Sequence, residues 1–208
     1  MVSPRFITVL IAALLLPDAA ASARELGRAA VGGRQIAIFE DRTWRFVDEL
    51  APSPKNCPPG EVWQSRRLSL SLCIKNGTWT SQGERYFFES LFTDPTSAAY
   101  AGIVTEATPL STQQMKDLVL ATVKDNPEIR EVRDVSYSTR TINGHELGVL
   151  DYTVVLKRGV SFRYRNIYGG IPDVGNFQMM FWASPEQFNE HETAFEELAG
   201  TVTYAGRR

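Results

Sequence analysis

The dipeptide Asn143-Gly144 stands between two long runs rich in β-branched and aromatic residues, 132–142 and 147–156. Asn-Gly is the favoured pair for a two-residue hairpin turn, because both positions accept positive φ. A chain that carries it there is committed to a long antiparallel hairpin, and the rest of the fold has to be built around that pairing. Lys157-Arg158-Gly159 turns into a further strand over 160–168. A glycine-rich loop over 169–176 leads to another strand at 177–183, and a strand over 100–105 precedes them all. Ser111-Thr112-Gln113-Gln114 has capping-box spacing, with Met115, Leu118, Val119 and Val123 on one helical face. Asn126-Pro127 ends that helix. Ser184-Pro185-Glu186-Gln187 opens a second one, with a capping residue, proline at the first helical position and Gln three after the cap. Gly200 ends it, and 201–204 closes with a strand. Residues 85–208 therefore read as an α+β unit, an antiparallel sheet flanked by two helices.

Residues 24–84 read as a smaller all-β module. A strand at 34–39 turns at Glu40-Asp41-Arg42 and returns over 43–47. Residues 68–74 alternate apolar and polar, Asn76-Gly77 offers a second hairpin turn, and Thr78-Trp79-Thr80 returns. The two hairpins echo each other at an offset of 35 residues. Between them, 51–60 carries four prolines and reads as a stiff linker. Cys57 and Cys73 are the only cysteines. In an oxidising compartment they read as a disulfide, worth about 3 kcal/mol in the chain-entropy model. A redox pair would normally be C-x-x-C, and a zinc site would need two more ligands.

Residues 1–23 supply the compartment. Arg5 is a positive start, 6–16 is an apolar run of eleven residues, and Ala19 to Ala23 offers small residues for cleavage after Ala23 or Ala21. That is the three-zone pattern of a secretory leader, and eleven residues fall well short of the ~20 that span a bilayer. The expected location is the periplasm, or outside the cell. A formal net charge of -2 argues against nucleic acid as a partner.

The order strand, helix, hairpin, two strands, helix, closing strand resembles the PsbP-like fold, which also occurs in exported bacterial proteins of the DcrB type. The resemblance covers the C-terminal 105 to 120 residues or so. It is carried by that order, the Asn143-Gly144 hairpin, the aromatic strand from Phe177 to Trp182 and the Ser184-Pro185 helix start. It implies an α/β/α sandwich and a non-enzymatic role as an assembly factor, partner-binding protein or secretion chaperone. It implies no particular functional residues.

Candidate chemistry is sparse. His145 follows the hairpin turn and reads as pointing to water. His191 lies on or beside the apolar stripe Phe188, Phe195, Leu198, and the segment is not H-E-x-x-H because position 195 is Phe. There is no G-x-S-x-G elbow and no Walker loop. An enzyme would need an unrecognised carboxylate pair such as Glu146 with Asp151, so no catalytic residue, metal or cofactor is expected. Arginine is abundant, 17 against 5 lysines. Arg163 and Arg165 alternate with Phe162 and Tyr164, so they share a sheet face. With Arg140 they are candidates to receive an acidic partner, the alternative being local Asp and Glu partners. Trp44 and Trp79 occupy matching hairpin positions, either as an exposed aromatic platform or as core. The 169–176 loop would supply one wall of a ligand pocket. Asn76-Gly77-Thr78 is an N-glycosylation sequon, relevant only in a eukaryotic secretory route. The expected function is an exported protein-binding or accessory protein of the cell envelope; the alternative is a small-ligand carrier.

Overall fold

A computed structural model of the chain describes residues 25–31, 34–40, 42–46, 53–58, 61–171 and 174–204. The leader expected at 1–23 lies outside the described residues, as do parts of the 51–60 linker. Three N-terminal strands, β1 (Glu25–Val31), β2 (Arg34–Phe39) and β3 (Trp44–Phe46), form an antiparallel meander. The short strands β4 (Val62–Gln64) and β5 (Leu70–Cys73) follow, then β6 (Thr80–Ser81), β7 (Ser90–Thr93) and β8 (Ala99–Glu106). Helix α1 (Thr112–Lys124) leads to the long strands β9 (Ile129–Ile142), β10 (His145–Leu156), β11 (Ser161–Ile171) and β12 (Gly175–Ala183). Helix α2 (Pro185–Gly200) and β13 (Thr203–Tyr204) end the described chain. The main sheet is antiparallel in the order β6-β7-β8-β12-β11-β10-β9, and a smaller sheet runs β13-β5-β4.

The local signals are realised as chemistry. Asn143 and Gly144 sit at φ 50 and 82, the positive-φ pair that a type I′ turn requires. The Asn143 side chain also donates to the Gly200 and Val202 carbonyls at 3.0 and 2.7 Å, tying the hairpin to the end of α2. Ser111 and Gln114 exchange both capping-box bonds, and Ser184 caps α2 through the Gln187 N–H. On α1 only Met115 and Val119 are buried. Leu118, expected on the same face, is 54% exposed because the helix rests on the sheet along the Met115–Val119 line.

One face of the main sheet packs against α2 and the β13-β5-β4 sheet. Phe92, Ile103, Leu147, Phe177 and Phe181 meet Leu70, Leu72, Trp79, Phe195 and Val202 there in one core. The expected domain boundary at 84 therefore falls inside a folded unit. Strand β5 is paired on one side by β4 and on the other by β13 from the far end of the chain. The same pairing explains why Asn76-Gly77 makes no hairpin: both edges of β5 are occupied, so the chain cannot return alongside it. It turns through Thr78 and Trp79 N–H bonds to the Lys75 carbonyl and crosses to β7 as β6. The echo between the two hairpins is thus one of sequence only. Cys57 and Cys73 are disulfide-bonded, with Cα atoms 5.5 Å apart.

The expected 169–176 loop is shorter than the sequence predicts: Gly169 pairs with Phe177, Gly170 with Asn176 and Ile171 with Gly175 at the facing ends of β11 and β12. The glycines serve close approach instead. A Cβ on Gly175 would lie 2.1 Å from the Glu106 carbonyl oxygen, and one on Gly169 would lie 2.5 Å from a Leu147 methyl. At the open edge, β9 carries a bulge where Asp134 takes φ 55. Exposed Arg130, Glu131 and Arg133 beside it discourage strand addition.

Candidate functional site

The two strand arginines do share a face, but that face is the one covered by α2. Arg165 is 5% exposed. Its Nε donates to Asp151 at 2.8 Å, and its terminal nitrogens reach Glu192 at 3.1 Å and Glu196. Arg140 joins the cluster through Glu196 at 2.5 Å. Arg163 bonds Asn189 at 2.8 Å and lies 4.7 Å over the Phe188 ring. All three candidates for an acidic partner are therefore engaged by α2 itself, because this helix sets Glu192 and Glu196 four residues apart on one face. Asp151 is likewise tied to Arg165. The i, i+4 glutamates were the signal that would have found this cluster in the sequence.

Trp79 is buried and stacked on Phe195 with centroids 5.8 Å apart, so it is core and not a platform. Trp44 is 56% exposed on the N-terminal meander, opposite exposed Ile38. His145 does not point to water: it stacks on Tyr204 with centroids 3.8 Å apart. His191 packs beside the stripe, with Nδ1 2.9 Å from the Gln187 carbonyl and Nε2 3.4 Å from Asp94. Two buried carboxylates escaped the sequence reading. Glu89 accepts from the Ser65 hydroxyl, the Arg66 N–H and the Thr105 hydroxyl, and so fixes the turn before β5.

Asp94, the second, folds the β7–β8 turn around itself. Burial alone would raise its carboxyl, but N–H bonds from Ala99, Thr96 and Ala98 and the Thr96 hydroxyl hold it below its ordinary 3.8. A carboxyl depressed in the folded state stabilises above its unfolded pKa and loses that contribution as pH falls through the folded value. Unfolding free energy measured from about pH 5 down to about pH 2 should therefore drop more steeply in the wild type than in Asp94→Asn. Parallel curves would show that Asp94 is not a source of the acid sensitivity.

What remains as a site is the other face of the main sheet. Tyr100 on β8 pairs in register with Trp182 on β12, Trp182 with Tyr164 on β11, and Tyr164 with Tyr152 on β10. Their rings form one stacked row across four strands, with centroids 5.3, 6.2 and 5.2 Å apart and interplanar angles of 10, 16 and 6°. Phe88 stacks on Trp182 at 5.5 Å and Phe87 on Phe88. Gly102 makes room for it, since a Cβ there would sit 2.3 Å from the Phe88 ring.

Helix α1 lies over β9, β10 and β11, where Met115 and Val119 pack on Leu150, Tyr152, Val154 and Tyr168, with Tyr164 of the row against the same cluster. Tyr100, Val104, Phe162, Tyr164 and Met180 are left half-buried. Tyr86, at 65% exposure, lies beside the Phe87–Phe88 pair. The floor is polar. Buried Gln178 donates to the Asn166 carbonyl oxygen, and Asn166 donates to the Tyr152 hydroxyl at 3.1 Å. Burial, with Tyr164 adding to it, pushes the Tyr152 phenol well above its usual range despite the Asn166 bond. The Tyr168 hydroxyl is the one buried side-chain polar atom among the described residues with no hydrogen-bond partner. Apolar rings beside a few buried polar groups suit an apolar segment or ring.

No protein-family model and no curated protein matches the chain. Among solved structures, its fold is similar to that of cyanobacterial PsbP from Synechocystis, at 12% identity over 65% of this chain and 86% of that one, with a TM-score of 0.49. It is also similar to a Pseudomonas aeruginosa protein of unknown function described as a putative regulator, at 12% identity over 89% and 99% of the two chains and a TM-score of 0.44. A third, from Bacteroides thetaiotaomicron, aligns at 15% identity over 67% of this chain and 45% of that one, with a TM-score of 0.40. By its own elements the chain is an α+β protein, and no helix among its described residues is long and apolar enough to cross a membrane.

Proposed function

We propose that this is an exported, non-enzymatic binding protein of the cell envelope, whose aromatic sheet face receives an apolar segment of a partner protein. The observation that carries the reading is the row Tyr100–Trp182–Tyr164–Tyr152, aligned in register and left half-covered. Trp182 and Tyr152 are buried within the row while Tyr100 and Tyr164 stay partly accessible with Val104, Phe162 and Met180, and apolar side chains grouped in this way at a surface support an interaction site. The three-zone leader and the Cys57–Cys73 disulfide support export to an oxidising compartment. A second reading, a small-ligand carrier, is favoured by the unpartnered Tyr168 hydroxyl.

The test is capture from an extract of the protein's own envelope compartment by the immobilised chain. The expected result is one near-stoichiometric protein that stays bound at high salt, since apolar contacts are not screened. It should be lost with the double substitution Tyr100→Glu and Met180→Glu while far-ultraviolet circular dichroism is unchanged. Binding that salt removes, or that the double substitution leaves intact, would sink the reading. Arg165 is not used as a probe, because it is buried against Asp151, Glu192 and Glu196 and its replacement is expected to lower stability.

A further inference from the structure

We infer that Asn76-Gly77 is a site of spontaneous hydrolytic deamidation, whereas the same dipeptide at 143–144 is protected by the fold. No part of the binding reading above is needed, because the turn after β5 reacts with water alone. The chemistry depends on one backbone nitrogen, that of the residue after the asparagine. It attacks the side-chain Cγ, and the new C–N bond closes a succinimide ring. The displaced amide leaves as ammonia, carrying the proton that the attacking nitrogen gave up. Water then opens the ring at either carbonyl, giving aspartate or isoaspartate, in which the main chain runs through the former side chain. Glycine admits the attack most readily, because no Cβ crowds its nitrogen. Two such pairs occur in the chain, and the fold treats them differently.

Asn76 and Gly77 are both exposed. Thr78 and Trp79 each donate an N–H to the Lys75 carbonyl at 3.2 Å, and the Asn76 N–H donates to a Glu61 carboxylate oxygen at 3.1 Å. Those three bonds shape the turn but leave the reacting groups alone. Among the described residues, neither the Asn76 side-chain amide nor the Gly77 N–H has a hydrogen-bond partner. Space is open as well, since a Cβ placed on Gly77 would meet nothing within 4 Å. The amide can therefore swing toward the Gly77 nitrogen without breaking a bond.

Asn143 starts from the same dipeptide and nearly the same glycine conformation, φ 82 at Gly144 against 81 at Gly77. Its side-chain nitrogen, the group that has to leave, donates to the Gly200 and Val202 carbonyls at 3.0 and 2.7 Å. The flanking Ile142 and His145 are paired across the hairpin, and His145 is stacked on Tyr204. Ring closure there has to break both hydrogen bonds and turn a side chain that ties the hairpin to the end of α2. At 76 nothing comparable resists. The product places a new carboxylate beside that of Glu61, and the like charges repel. Isoaspartate also lengthens the main chain just before the two bonds to Lys75, on the path into buried Trp79.

The purified, disulfide-bonded chain is held in warm, mildly alkaline buffer and sampled over time. Trypsin separates the two sites, because one peptide runs from Asn76 to Arg85 and the other from Thr141 to Lys157. Mass spectrometry reads the amide-to-acid exchange in each, and fragmentation identifies isoaspartate. Since two hydrogen bonds hold the Asn143 amide, Asn76 should react about tenfold faster or more. In urea the two rates should converge. Asn76→Gln keeps an amide but moves it out of reach of the ring closure, so the acidic form that ion exchange resolves in the aged wild type should disappear. Equal rates in the folded chain, or an acidic form that persists in Asn76→Gln, overturn the proposal. So does a rate ratio that survives in urea, since the flanking residues and not the fold would then set it.

Discussion

Replacing Arg165 by alanine should lower the unfolding free energy by about 3 kcal/mol or more, against well under 1 kcal/mol for Arg163→Ala, although the two sit on one strand two residues apart. The difference follows from what each guanidinium does. Arg165 is buried against three carboxylates, those of Asp151, Glu192 and Glu196. Truncating it removes the cation and leaves Asp151 of the sheet facing Glu192 and Glu196 of α2 with no charge between them. Its guanidinium also lies 5.7 Å over the Phe188 ring, so packing is lost with the charge. Arg163 has a single exposed hydrogen bond to Asn189 and its own contact with Phe188. Arg165→Lys should fall between, since a point charge replaces a fork that engages Asp151 and Glu196 through different nitrogens. Urea unfolding of the three variants checks this. Equal losses for Arg163→Ala and Arg165→Ala would show that the carboxylate cluster is not what holds α2 to β11.

How much of this was legible in the sequence depends on the distance over which each signal acts. Ser111, Ser184 and Asn143-Gly144 act within one turn of chain, and their bonds form as the spacing predicts. The disulfide is legible because only one pairing is possible with two cysteines. Asn76-Gly77 has the same local signal as Asn143-Gly144 and a different outcome, because β13, more than a hundred residues away, already occupies the edge of β5. The aromatic row is invisible for the same reason. Tyr100, Tyr152, Tyr164 and Trp182 have no common spacing, and only the register of four strands aligns them. Arg163 and Arg165 were correctly placed on one face, but alternation does not tell which face of a sheet a helix will cover. Glycine at 175 reads as a loop signal in a list of residues and as close contact with Glu106 once the sheet is formed.

Trp79→Ala should cost about 3–5 kcal/mol and lower the melting temperature by roughly 10 °C for a chain of this length. Trp44→Ala should change stability by no more than about 0.5 kcal/mol. Trp79 is stacked on Phe195, and Phe195 in turn packs on Phe181 from the main sheet and Phe188 from the first turn of α2. A cavity at Trp79 therefore opens at the junction of the smaller sheet, α2 and the main sheet, where none of the neighbours can collapse without moving an element. The shape of the transition matters as much as its midpoint. Were 24–84 an independent module, the substitution would melt that module early and leave a second transition where the wild type has it. Because Leu70, Leu72 and Trp79 share one core with Phe177, Phe181 and Val202, the expected result is a single transition that moves as a whole. Two resolved transitions, the upper one unshifted, would restore the boundary at 84 and detach β4 and β5 from the unit that carries the aromatic face.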